Sequence, residues 1–215
     1  MKCLIVGGPR FARSAGLVAL LLLVAAGDLA AQGLPPLGGG NMNNPPAVTM
    51  LFVAQLPNKQ FQICGTISDE TPGGCTVTIS GAASGTVSVG SNGQFSGTFS
   101  VPSLGYISAV AYDGTQNGSA STTNLTNAAP SISGLMASAG NNGIWTISGT
   151  VSDEAAYGLT VTLTGLPNGT EVATCAAGGS FSITVYIPAG NSGQVTATVT
   201  DWYGSSGSAN TNFGS

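Results

Sequence analysis

The chain has 215 residues, only 6% of them charged, with no histidine and a formal net charge of −4. Without histidine there is no His-based catalytic triad and no His ligand for zinc. Four basic residues cannot follow a phosphate backbone, which argues against nucleic acid as a partner.

In chain order, Lys2, Arg10 and Arg13 precede the apolar run AGLVALLLLVAAG at residues 15–27, and small residues follow it. A basic start, an apolar stretch and a small-residue end describe a secretory signal peptide over residues 1–31, with Ala31 the best-fitting cleavage point and Gly27 the alternative. The run is shorter than the ~20 residues that span a bilayer, so no membrane span is expected in the mature chain. Cleavage leaves Lys59 as the only base against seven acids, a net charge of −6. The chain is expected to be secreted, periplasmic or held at the cell surface. Residues 32–46, QGLPPLGGGNMNNPP, are crowded with Pro, Gly and Asn and read as a flexible spacer.

The rest repeats. At an offset of 84 residues Phe61 meets Trp145, Ile63 meets Ile147, Gly65 meets Gly149, and Asp69-Glu70 meets Asp153-Glu154. Pro46 and Pro130 stand at corresponding points before each copy. A period this long is a tandem domain rather than a solenoid repeat. The expected domains are residues 47–126 and 127–215. Each divides into seven short strands separated by Gly-rich or Pro-containing breaks. In the second copy these lie near 131–138, 144–152, 158–165, 170–175, 180–187, 193–201 and 206–213. Their period-2 alternation, as in Phe181, Ile183, Val185 and Ile187 against Ser182, Thr184 and Tyr186, puts one face on a core and one in water. The expected fold is all-β, with each copy folded as two packed antiparallel sheets.

The pattern GTVSDE…GLTVTLTG…GGSFSITVYIP…GQVTATVTDWYG, carried more loosely by the first copy, resembles bacterial immunoglobulin-like domains found in tandem on exported proteins. The resemblance covers about residues 46–214. It implies two seven-stranded Greek-key β-sandwiches that serve as a structural or adhesive module, with an extracellular protein or a polysaccharide as partner.

In such a sandwich the loops after the second and sixth strands share one end. Asp153, Glu154 and Asp201 then converge at the tip of the second domain, and Asp69, Glu70 and Asp113 at the tip of the first. Two readings follow: calcium sites, the second one at the domain junction with help from Asn124 and Asn127, or turn-forming carboxylates that bond backbone amides. The cofactor expectation is accordingly none, or calcium.

Cys64 and Cys75 are the nearest cysteine pair and a candidate disulfide, worth about 3 kcal/mol if formed. Against the bridge, the alternation turns Cys75 inward and Cys64 outward on strands of different sheets. Cys175 is the odd cysteine and reads as a small core residue. Trp202 and Tyr203 follow Asp201. They are a candidate carbohydrate- or polymer-binding pair, the alternative being that Trp202 plugs the open end of its sandwich. No catalytic constellation is visible, since Asp153 and Glu154 are neighbours on a convex tip rather than facing acids across a cleft. The chain is therefore expected not to be an enzyme. Its outer strands carry almost no charge, which leaves edge-to-edge self-association open.

Overall fold

Period-2 alternation of branched apolar residues with Ser, Thr and Gly drives this chain into strands, since each strand can then bury one face. The computed structural model describes residues 43–214. The signal peptide expected over 1–31 and the part of the expected spacer up to residue 42 lie outside the described residues.

Seven strands come first: β1 (Ala47–Leu56), β2 (Gln60–Ser68), β3 (Thr76–Gly81), β4 (Gly85–Ser88), β5 (Gln94–Ser100), β6 (Gly105–Tyr112) and β7 (Ser121–Leu125). They form two antiparallel sheets, ordered β1-β2-β5 and β4-β3-β6-β7. Next come β8 (Ser131–Ala139), β9 (Ile144–Ser152), β10 (Thr160–Leu166), β11 (Gly169–Thr174), β12 (Ser180–Tyr186), β13 (Gly193–Thr200) and β14 (Ser206–Phe213). Their sheets are β8-β9-β12 and β11-β10-β13-β14, the same order again. The fold is an immunoglobulin-like β-sandwich. Its fourth strand joins the third, which places it on the sheet of the sixth and seventh strands and not, as in constant-type domains, beside the fifth.

Each pair of sheets encloses its own core. In the first, Phe61, Ile63 and Ile67 of β2 meet Val77 and Ile79 of β3 and Ile107, Ala109 and Ala111 of β6. In the second, Ile147 and Val151 of β9 meet Val161 and Leu163 of β10 and Val195, Ala197 and Val199 of β13. Burying each large aliphatic side chain contributes roughly 1.5–3 kcal/mol. A glycine recurs in the same place on each central strand for a steric reason. Gly65 pairs with Phe95 and Gly149 with Phe181, and the phenyl ring lies across the glycine. A Cβ there would come within 2.7 Å of the Phe95 ring or 2.8 Å of the Phe181 ring.

Candidate functional site

The loops after β2 and β6 meet at one end of the first sandwich, and those after β9 and β13 at the same end of the second. The six carboxylates of the repeat sit there. Asp69 ends β2 and closes a turn, its Oδ1 accepting from the Thr71 amide at 2.7 Å. Asp153 repeats the bond with the Ala155 amide at 2.7 Å. Asp113 Oδ1 accepts from the amides of Thr115 (2.7 Å) and Gln116 (2.8 Å). Asp201 Oδ1 accepts from the amides of Tyr203 (2.8 Å) and Ser205 (2.9 Å).

The second oxygens of Asp113 and Asp201, and one oxygen each of Glu70 and Glu154, reach a segment on which the acid-pair alignment is silent, the lead-in to each sandwich. Asn43 Nδ2 donates to Asp113 Oδ2 at 2.8 Å, and Asn127 Nδ2 donates to Asp201 Oδ2 at 2.8 Å. Glu70 Oε1 accepts from both the amide and the side chain of Asn44. Glu154 Oε1 accepts from the Ala128 amide at 3.1 Å. The repeated Asp–Glu pair is thus half of a clasp. Glutamate and the later aspartate together pin the entering strand against the two loops. Asn43 and Asn44, which composition assigns to a flexible spacer, are held in place because they are the clasp's other half. Two glycines complete it: a Cβ on Gly118 would overlap the Pro46 carbonyl oxygen, and one on Gly207 the Pro130 carbonyl oxygen.

These bonds set the protonation of the clasp. Asp113 is held well below the usual carboxylate range, first by the Gln116 amide and then by Thr115 and Asn43. Glu70 is lowered by backbone bonding and by Asn44. Burial opposes ionisation of Asp201, but the Asn127 side chain and the amides of Ser205, Tyr203 and Gly204 outweigh it, and its pKa is lowered. Asp153 shifts the other way, raised by burial and then by the charges of Glu154 and Asp201.

In the second sandwich the clasp extends into the first. Gln55 of β1, only 9% exposed, donates from Nε2 to Asn127 Oδ1 at 3.0 Å, so Gln55, Asn127 and Asp201 form one chain of bonds across the junction. Tyr203 packs against the core of the first sandwich. Its hydroxyl donates to the Val101 carbonyl at 2.8 Å, and its ring lies 6.4 Å from that of Phe61. Lys59 Nζ stands 5.6 Å above the Tyr203 ring, close enough for cation–π attraction. Lys59 is the second of two left-handed residues in the turn between β1 and β2, with Asn58 at φ 61° and Lys59 at φ 56°. Its counterpart in the turn between β8 and β9 is Gly143, the residue that suits this position. The strain at Lys59 coincides with its seat on Tyr203.

Trp202 and Tyr203 do not form a stacking platform. Being adjacent in a turn, they diverge. Trp202 folds onto the second core, donating from Nε1 to the Ala155 carbonyl at 2.9 Å, while Tyr203 folds onto the first. One side of the Trp202 ring borders a shallow groove of about 370 Å³ whose lining includes Asp201 and four threonines of β10 and β13, Thr160, Thr162, Thr198 and Thr200.

The Cys64–Cys75 bridge does not form. Cys75 is a free, buried thiol, as is Cys175. Cys75 belongs to the core between the sheets, whereas Cys64, on the central strand of the β1-β2-β5 sheet, lies outside that cluster. Closeness in sequence is defeated by strand parity. Burial, and secondarily the Asp69 charge, pushes the Cys75 thiol up to about 11. Burial and Asp153 raise Cys175 in the same direction.

Calcium takes six to eight oxygens, whereas here the oxygens of Asp113 and Asp201 serve amides and asparagines. Among the described residues no group of three or more Asp, Glu, Cys or His side chains is arranged to hold a metal ion. Asp69 Oδ2 and Asp153 Oδ2 are buried without a hydrogen-bond partner.

No protein-family model and no curated protein matches the chain. Among solved structures it is similar to one from a 1.5-MDa bacterial ice-binding adhesin, with 19% identity and a TM-score of 0.32, covering 79% of this chain and 64% of that one. It is also similar to the FN1–FN3 domains of chicken CNTN1 (12% identity, TM-score 0.33, 80% and 69% covered). A third similarity is to fibronectin(III)-like modules of Clostridium thermocellum CbhA (14% identity, TM-score 0.29, 76% and 92% covered). The chain spans less than two thirds of the adhesin structure and 29% of the structure of a biofilm-associated protein.

Proposed function

We propose that the chain is an exported, non-catalytic structural module in which two immunoglobulin-like domains, residues 47–126 and 127–215, are set as one stiff segment. It acts at the cell surface or in the extracellular space as a spacer that presents an adhesive partner, an extracellular protein or a polysaccharide. The observation that carries this reading is the joint. Tyr203 is spent on the neighbouring core and Asn127 bridges Gln55 to Asp201, so side chains that would serve binding or chemistry serve the angle between the domains. The repeated carboxylates have the same structural use.

The reading makes the linker over residues 126–130 a protected segment. In the intact chain it resists a broad-specificity protease, and Tyr203→Ala exposes it, raising the cleavage rate there by about tenfold or more because the local opening loses a buried aromatic contact. Equal rates in the two proteins contradict a stiff joint. The export half of the proposal has its own check. The intact mass of the exported protein should correspond to a chain beginning at Gln32, and retention of the full-length form in the cytoplasm counts against it.

A further inference from the structure

Most sheet edges in this molecule carry a feature that blunts further pairing. β1 is bulged between Val48 and Met50, and β8 between Ser133 and Met136. β4 has four residues and β7 five. β5 has a glycine, Gly97, at its centre, which weakens a strand interior. β11 carries Glu171 and loses register beyond Leu163, and β14 lies against β8. These are the usual defences of an edge.

β12 carries none of them. Its seven residues, SFSITVY, contain no charge, proline or glycine. They pair without interruption with β9 from Ser180–Thr150 to Tyr186–Ile144. The direction of its backbone groups follows from the flanking bonds. The Ile187 amide donates to Gly143 and the Val151 amide to Gly179, which turns the odd-numbered residues of β12 toward β9 and the even-numbered ones toward the open side. Two outward carbonyls are already used: Ser180 accepts from the Ala176 amide at 2.8 Å, and Tyr186 from Asn168 Nδ2 at 2.6 Å. Between them stand Ser182 and Thr184, both exposed and paired to no strand on that side among the described residues.

We propose that a second copy of this chain adds here, β12 against β12, antiparallel about a two-fold axis. One register pairs both of these residues: Ser182 exchanges both hydrogen bonds with Thr184 of the second copy, Thr184 does so with Ser182, and Ile183 faces its own mate on the axis. The two three-stranded sheets become one six-stranded sheet, within the usual size range. Because β12 is uncharged, two acidic chains meet along it without like charges opposed, and the outward Ser182 and Thr184 form hydroxyl pairs of the kind that stabilise strand neighbours. The pairing goes beyond the spacer role: a monomeric chain would refute it and leave the joint untouched.

The test is sedimentation of the purified chain over a range of concentrations, with three variants. The wild type should dimerise reversibly. Thr184→Lys should weaken the dimer by about tenfold or more, because it sets two lysines on one face at diagonal positions about the axis, with little change in melting temperature because Thr184 is exposed. Under mild oxidation Ile183→Cys should form a covalent dimer and Ser180→Cys should not. A wild type that stays monomeric, a dimer that survives Thr184→Lys, or the Ser180→Cys variant linking as readily as the Ile183→Cys variant would overturn the proposal. Should Ile183→Cys misfold, the Thr184→Lys comparison decides alone.

Discussion

Replacing Asp201 with alanine is expected to destabilise the second sandwich by about 3 kcal/mol, because several buried donors lose their acceptor at once. The carboxylate is 6% exposed and accepts from the Tyr203 and Ser205 amides and from Asn127. Asp113 makes the corresponding bonds in a more open setting, so Asp113→Ala should cost less. Denaturant unfolding of the two variants checks the order, and a larger loss for Asp113→Ala contradicts the clasp as described. The effect also has a pH signature. A folded pKa below the ordinary 3.8 means that Asp201 contributes stability above that value and loses it as the pH falls through its depressed folded pKa. The gap between wild type and Asp201→Ala should therefore close below about pH 3.8. Asp153 works in the opposite sense: its raised pKa means that protonation favours the folded state as acid is added.

Gly207→Ala is expected to lower stability by roughly 2–4 kcal/mol, since its Cβ would overlap the Pro130 carbonyl oxygen and both atoms belong to backbone that the clasp holds. Gly118→Ala should act alike against Pro46. Gly74→Ala is the control. Nothing lies within 4 Å of its Cβ position, so its melt should stay close to that of the wild type. Gly207→Ala melting with Gly74→Ala would mean that the lead-in strand moves freely, and the clasp would lose its role.

Much of this architecture is legible in the alternation. The expectation of strands over 144–152 and 206–213 coincides with β9 and β14, and 180–187 runs one residue past β12. Strand three of the second copy begins at Thr160 rather than residue 158, because Gly158 and Leu159 bond to Cys175 and Ala156 in the turn before it. Parity along the strands also warned against the Cys64–Cys75 bridge, which spacing alone favoured. The partners of the Asp–Glu pairs were hidden for a physical reason. Periodicity reports which face a residue occupies, not which loop reaches across the end of a sandwich. Asn43 and Asp113 are 70 residues apart, and Asn43 is one of several asparagines, with Asn41 and Asn44, at the end of the spacer. The offset of 84 that relates the acid pairs also relates Asn43 to Asn127, and this was the one available signal. Trp202 and Tyr203 were misleading together because adjacent turn residues point to different bodies, and the alignment showed only that the first copy has Gly114 and Thr115 there.

Lys59 shows how local and long-range requirements compete. Gly143 holds the corresponding turn at no steric cost, whereas Lys59 adopts φ 56° at a cost of about 1 kcal/mol and stands over Tyr203. The strained residue and the aromatic it covers lie on opposite sides of the junction. The most direct measurement is backbone ¹⁵N relaxation on the intact chain. One common rotational diffusion tensor should describe the strand amides of both sandwiches, β1–β7 and β8–β14 alike. Two tensors, with faster and independent tumbling for each half and mobile amides through residues 126–130, would contradict the joint and the stiff-spacer reading that rests on it.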